Sequence, residues 1–215
     1  MKSSNLFLSL FATILLFSAA AAQAAGSDQA AGIDMDDPHR ALGRENDVRV
    51  DAQLVRETVS PNTPIGVVYQ IENFSKHPVA IAARAVDASY DEESRTVTLV
   101  LGAEIPPDGN LPQLTLIAPG EKKVFRSAAT PSLPAAARRG LASTPRFVQV
   151  KVALLRDIEP FLALIEAQKR MPQQLTDAQF EMWLESSNTI FLNTLPVQFA
   201  PARPTGADAE MRASF

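Results

Sequence analysis

The chain reads as an all-β protein, an antiparallel sandwich carrying an inserted helical hairpin before the last strand, and three observations predict it. Short segments in which apolar and polar residues alternate with a period of two recur from Asp47 onward. Clusters of Pro, Gly, Asn, Asp and Ser separate them about every ten residues, the rhythm of hairpins and not of βαβ units. A helical period replaces the alternation in one stretch, between Glu159 and Ser187.

The segment before the domain carries an address. Lys2, the apolar run from Leu6 to Ala22 and the small residues of Ala22-Gln23-Ala24 form a secretory signal peptide over 1–24, cut after Ala24. The alternative is an uncleaved membrane anchor, because the run approaches the length of a spanning helix. Residues 25–46, rich in Ala, Gly and Asp without apolar periodicity, are expected as a flexible leader, with order beginning near Asp47. The sandwich domain then occupies 47–200, and the Pro/Ala-rich residues 201–215 are expected as a disordered tail.

Each element has its own signal. Val48, Val50, Ala52 and Leu54 alternate with Asp47, Arg49, Asp51 and Gln53, so one side of a strand faces a core and the other water. Ser60-Pro61-Asn62-Thr63-Pro64 breaks it, and Ile65, Val67, Tyr69 and Ile71 alternate again up to a turn at Asn73-Phe74-Ser75-Lys76-His77-Pro78. A third strand is expected from Val79 to Val86, and the acidic turn Asp91-Glu92-Glu93-Ser94 joins it to a fourth through Val97, Leu99 and Leu101. Turns at Pro106-Pro107-Asp108-Gly109-Asn110 and Ala118-Pro119-Gly120-Glu121 set off short strands at Leu114–Ile117 and Lys122–Ser127. Ser127 to Pro145 is a long connection with room for one helical turn, and Val148, Val150, Val152 and Leu154 form a strong strand after it.

In the helical hairpin, residues 159–187, Pro160 suits a first turn, and Phe161, Leu164, Ile165 and Gln168 share a face until Met171-Pro172 ends the helix. Thr176 and Gln179 have the spacing of a capping box, and Phe180, Trp183 and Leu184 make the second helix's apolar stripe. A last strand is expected over Ile190 to Phe199.

The phrases Val67-Val68-Tyr69-Gln70-Ile71-Glu72-Asn73, Pro78-Val79-Ala80-Ile81 and Ile117-Ala118-Pro119-Gly120-Glu121 resemble those of bacterial immunoglobulin-like sandwich domains. The resemblance spans at most Asp47 to Phe199 and implies a fold, not an activity. The chain departs from antibody-type domains in having no cysteine and in its helical hairpin.

Composition narrows the chemistry. Beyond Ala24 the chain is long enough for a full core, so the absence of cysteine costs it no staple, and thiol nucleophiles, disulfide exchange and cysteine metal sites are excluded. Without Lys2, 19 basic residues face 24 acidic ones, a net charge of −5 that argues against nucleic acid as a partner. A Ser/His/Asp arrangement would need His39 or His77. The first lies in the leader and the second in a turn two residues from Ser75, so no catalytic residue is expected. Asp34, Met35, Asp36, Asp37 and His39 mix ligand types that metals accept, but an acidic leader has the same composition, and no metal or cofactor is expected.

The remaining lead is the segment from Lys122 to Arg156, which holds eight basic residues and no acidic one. Arg126, Arg138, Arg139 and Arg146 are the candidates for a basic patch on and around the long connection, suited to an envelope protein or an anionic envelope component. Trp183 is a further candidate contact residue, although its place in an apolar stripe also fits packing of the helix onto the sandwich. The leading expectation is a periplasmic, non-catalytic β-sandwich that binds a protein partner or assists assembly, with no membrane span after cleavage. The alternatives are an inhibitor offering the 127–145 loop to an exported protease, with its Arg139-Gly140 bond as bait, and an enzyme of unfamiliar type built on carboxylates.

Overall fold

The structure is a computed structural model that describes residues 33–201 apart from 35, 38, 141 and 142. The expected signal peptide, the leader up to residue 32 and the tail beyond Pro201 lie outside the described residues. The strands in chain order are β1 (Arg40–Glu45), β2 (Val48–Leu54), β3 (Thr58–Val59), β4 (Ile65–Asn73), β5 (Val79–Ile81), β6 (Val86–Asp91), β7 (Thr96–Leu101), β8 (Thr115–Ile117), β9 (Lys122–Ala129), β10 (Phe147–Leu155), β11 (Ser187–Phe191), β12 (Leu195–Pro196) and β13 (Gln198–Phe199). The helices are α1 (Ala135–Arg138), α2 (Leu162–Gln168) and α3 (Asp177–Ser186).

Two sheets face each other. The first has the order β1-β2-β4-β9, the second β6-β7-β10-β5-β8, with β11 and β12 also paired to β10. Between them lie Val48, Val50, Val67, Tyr69 and Ile71 from the first and Val97, Leu99, Leu101, Val148, Val150 and Val152 from the second, all buried. The alternation visible in sequence is therefore the core-facing half of each strand. Most pairings are antiparallel, but β10 runs parallel to β7, from Phe147 opposite Thr96 to Val152 opposite Leu101. A parallel neighbour needs a crossover, and the chain supplies one by passing through β8, β9 and α1 between them.

Three readings are corrected. Order does not begin near Asp47: β1 lies inside the span expected as leader and forms a hairpin with β2 around Asn46 and Asp47, whose φ angles of 45° and 62° are those of a type I′ turn. Its core-facing residues are the small Ala41 and Gly43, so the strand shows no apolar alternation. The expected third strand splits into β5 and β6 at a turn where the Ala85 amide donates to the Ala82 carbonyl (2.8 Å). The expected last strand divides among β11, β12 and β13, of which β13 pairs in parallel with β3.

Glycine permits two close approaches. A Cβ on Gly43 would stand 2.8 Å from both Ile190 Cγ2 and the Phe191 carbonyl oxygen, so β1 can lie against β11 and close one side of the sandwich. Asn193 secures that closure, its Oδ1 accepting from the Leu42 amide (2.6 Å) and its own amide donating to the Leu42 carbonyl (3.3 Å). Gly102 ends β7 with φ +89°, and any side chain there would meet the Ala153 carbonyl.

The helical stretch builds a second core at the end of the sandwich, from Ala80, Ala82, Leu111, Leu155, Ile158, Phe161, Leu175 and Trp183. The Thr176–Gln179 capping box is present: the Gln179 amide donates to Thr176 Oγ1 (3.3 Å) and the Thr176 amide to Gln179 Oε1 (2.9 Å). Leu184, read as part of the apolar stripe, faces solvent instead.

Asn73 ties the two sheets together. It ends β4 in the first sheet and is fully buried, and its Nδ2 donates to the carbonyls of His77 (2.9 Å) and Ile117 (3.0 Å), the latter closing β8 of the second sheet. Its Oδ1 accepts from the Ser75 amide (3.0 Å) and hydroxyl (2.6 Å), and its main chain bonds Glu121 and Gly120. Replacing Asn73 with Ala leaves the buried Ile117 carbonyl without this donor, while the His77 carbonyl keeps Ser75 Oγ, and is expected to cost about 1–3 kcal/mol by urea unfolding. Asn73→Asp, which fills the same space but cannot donate, should lose a comparable amount if donation and not packing is the cause.

Tyr69 lies fully buried on the inner side of β4, stacked on Phe125 with ring centroids 5.2 Å apart. Burial pushes its phenol up to about 12, with Ser127 pulling weakly the other way. Between pH 10 and 12 the unfolded chain therefore releases a proton that the folded chain keeps. This contribution to stability is complete below pH 10 and falls as pH rises through that window, by about 2–3 kcal/mol. Denaturant unfolding at pH 9 and 11.5 should show a steeper alkaline loss for the unaltered protein than for Tyr69→Phe; parallel losses would contradict it.

Candidate partner-binding face

The basic run of 122–156 does not fold into one patch, because β9 belongs to the first sheet and β10 to the second. Arg138 ends α1 and Arg139 caps it, both exposed, with Arg139 Nε donating to the Ala135 carbonyl at 3.4 Å. Arg146 enters β10 with an exposed side chain, its amide bonded to the Arg95 carbonyl and its carbonyl to the Val197 amide. The connection is docked at Ser143 and Thr144. The Tyr90 hydroxyl donates to the Ser143 carbonyl (2.5 Å), while Arg95 donates through Nε to the Thr144 carbonyl (2.8 Å) and through Nη2 to Thr144 Oγ1 (3.0 Å).

Trp183 lies inside the second core, the packing place that its apolar stripe fits. It is 1% exposed, meets Phe161 edge-on with ring centroids 5.7 Å apart, and donates its indole N–H to the Glu104 carbonyl (3.2 Å). Both the face and the N–H of the indole are thus committed inside the core.

Arg126 stands elsewhere, on the outer face of the first sheet. Residues directly opposite in antiparallel strands share a face, so the register aligns Arg40, Gln53, Val68 and Arg126 in one row across β1, β2, β4 and β9. The next rows are Leu42, Asp51, Gln70 and Val124, then Arg44, Arg49, Glu72 and Lys122. Five cations thus share the face with two carboxylates, and one of those is already neutralised. Asp51, 1% exposed, pairs with Arg49 Nε at 2.9 Å and Arg40 Nε at 3.4 Å, and accepts from Arg49 Nη2 at 3.1 Å. The second sheet's outer face has the opposite balance, with Asp87 and Asp91 on β6 and a single Lys151, whose ammonium lies 4.7 Å from the centroid of the Phe191 ring.

A cavity of about 360 Å³ opens at the Arg126 end of this face, lined by Val55, Arg56, Thr58, Ser60, Thr63, Pro64, Ile65, Gly66 and Ala128. Its lining mixes aliphatic residues with hydroxyls and one guanidinium, and Ala128 lies two residues from Arg126 on the same side of β9.

The histidines take structural places. His39, expected in a flexible leader, has Nδ1 2.9 Å from Glu57 Oε1 and 3.4 Å from Asp37 Oδ1. The His39 amide donates to the Asp37 carboxylate (2.8 Å) and holds it below the usual range, and Gln53 Nε2 donates to the same carboxylate. His77 is exposed in its turn, with Ser75 Oγ 2.7 Å from its carbonyl oxygen and 2.6 Å from Asn73 Oδ1.

Of the residues forming the basic face, sequence reasoning singled out Arg126 alone. Arg40 and Arg44 fell inside the presumed leader, and Arg49 lay on the polar side of a strand whose neighbours were unknown. The Asn46-Asp47 pair before Val48 was the one local signal that could have revealed β1 and its arginines. Replacing Asp51 with Asn removes the carboxylate that separates the Arg40 and Arg49 guanidinium groups. The expected loss is about 1–3 kcal/mol by denaturant unfolding, reduced from that of a fully buried pair because both arginines are partly solvated.

Comparison with family models, with curated proteins and with solved structures returned no match to this chain.

Proposed function

We propose that the protein is exported to the periplasm, cleaved after Ala24, and serves there as a non-catalytic β-sandwich that binds an acidic partner protein as an accessory or assembly module. The observation that carries this reading is the alignment of Arg40, Arg44, Arg49, Lys122 and Arg126 on the outer face of the first sheet. Charges gathered on one face steer an oppositely charged partner and fix its register, whereas the same charges scattered would only solvate the chain. The immunoglobulin-like reading belongs to the same proposal. It is supported by the way Asn73 joins the Asn73–Pro78 turn to the Pro-Gly-Glu turn, the two phrases that carry the resemblance.

The inhibitor reading loses its support in α1. Arg138 is helical and Arg139 has φ −88° and ψ 0°, while a bait segment must lie extended to pair with a protease cleft.

The test expresses the full chain with a C-terminal tag in a Gram-negative host. The protein recovered from the periplasm should begin at Ala25. Captured partners of the unaltered protein, of Lys122→Glu with Arg126→Glu, and of Arg138→Ala with Arg139→Ala are then compared at low and raised salt. The sheet-face variant should lose about tenfold of the salt-sensitive capture and the α1 variant little. Loss confined to the α1 variant would move the contact to the long connection and overturn this reading.

A further inference from the structure

We infer that the cavity beside Arg126 is an anchor subsite for an aliphatic side chain on an extended acidic peptide segment, so that recognition combines one buried apolar residue with carboxylates two and six residues further along the peptide. The inference rests on the proposed protein-binding face and names the ligand it takes. Two features lie in line on β9: Ala128 at the cavity wall, opposite Gly66, and Arg126, opposite Val68. Along a strand, residues i and i+2 are about 6.6 Å apart on one side. Lys122 follows on the same side, beyond Val124.

An extended peptide has this same repeat. With an aliphatic side chain in the cavity, its residue two positions on reaches Arg126 and its residue six positions on reaches Lys122. The lining fits such an anchor: Val55, Pro64, Ile65 and Ala128 supply apolar contact, and Arg56, Ser60 and Thr63 supply groups that can bond a peptide's polar atoms. About 360 Å³ is at the small end of ligand pockets, enough for a branched side chain with adjoining main chain and too short for a long acyl tail. Gly66 helps keep the cavity open, since a Cβ there would stand 3.1 Å from Val55 Cγ2. Charge complementarity and size together favour an acidic peptide over a lipid.

The experiment measures fluorescence polarisation of labelled synthetic peptides against the full mature chain. One probe alternates glycine and glutamate and carries a single leucine two positions before the first glutamate; a second has glycine in place of the leucine. On the unaltered protein the leucine probe should bind about tenfold more tightly, the gain from burying one aliphatic side chain. Ala128→Trp, at an exposed edge position, should bring the leucine probe down to the glycine probe's affinity, and Arg126→Glu should weaken both probes. Equal binding of the two probes to the unaltered protein overturns the anchor while leaving the basic face standing. Binding of neither overturns both. Preferential binding to phosphatidylglycerol vesicles overturns the peptide as ligand.

Discussion

The carboxamide of Asn73 is the constraint on which the sandwich depends. The chain passes between the sheets through the turn from β4 to β5 and again through the turn from β8 to β9, and both crossings meet at this side chain. Two donors and one acceptor with two lone pairs match what the crossings offer: the carbonyls of His77 and Ile117 and a serine that supplies an amide and a hydroxyl. The Ile117 carbonyl, buried in the core, would otherwise have no water to bond. A buried group that satisfies both turns at once therefore selects one arrangement of the sheets from the several that a hydrophobic pattern allows.

Around that point the sheets are held by ordinary burial and closed by unusual proximity. β1 can approach β11 because Gly43 presents no side chain, and Asn193 then bonds the Leu42 main chain in both directions. Gly102 performs a similar service where β7 turns away beneath the Ala153 carbonyl. The second core around Phe161 and Trp183 fills the end of the sandwich, which explains why the helices sit late in the chain and why the only tryptophan is spent on packing.

The same pairing that forms the core sorts the charges. Once the inner residues of β1, β2, β4 and β9 are committed, their alternates must share the outer face, and the register brings four arginines and a lysine together there. Asp51 keeps two of them from repelling at close range, Arg44 pairs with Asp47 (3.8 Å) and lies over the Phe74 ring, and Lys122 and Arg126 are exposed outward. Arg138 and Arg139, exposed like Arg126, belong to α1 and its cap and to no strand of the first sheet, and Arg146 leads into β10 of the second. Exposure alone did not distinguish these groups; register did.

By itself the sequence determined the all-β class, the inward sides of β2, β4, β7 and β10, the helical stretch, its capping box and the turns at Asn73 and Gly120. Each is local: a period of two or 3.6, a turn residue or a cap is written within a few neighbouring positions. It concealed β1, whose inner side consists of Ala41 and Gly43 and so shows no contrast with its outer side. It concealed the division of the final strand too, because 187–199 is pinned by β10 and β3 and not by its own pattern. Tertiary structure alone decided the parallel run of β10 beside β7 and the gathering of Arg40 with Arg126. Both depend on residues far apart in sequence meeting across a register, and no local signal encodes which strands become neighbours.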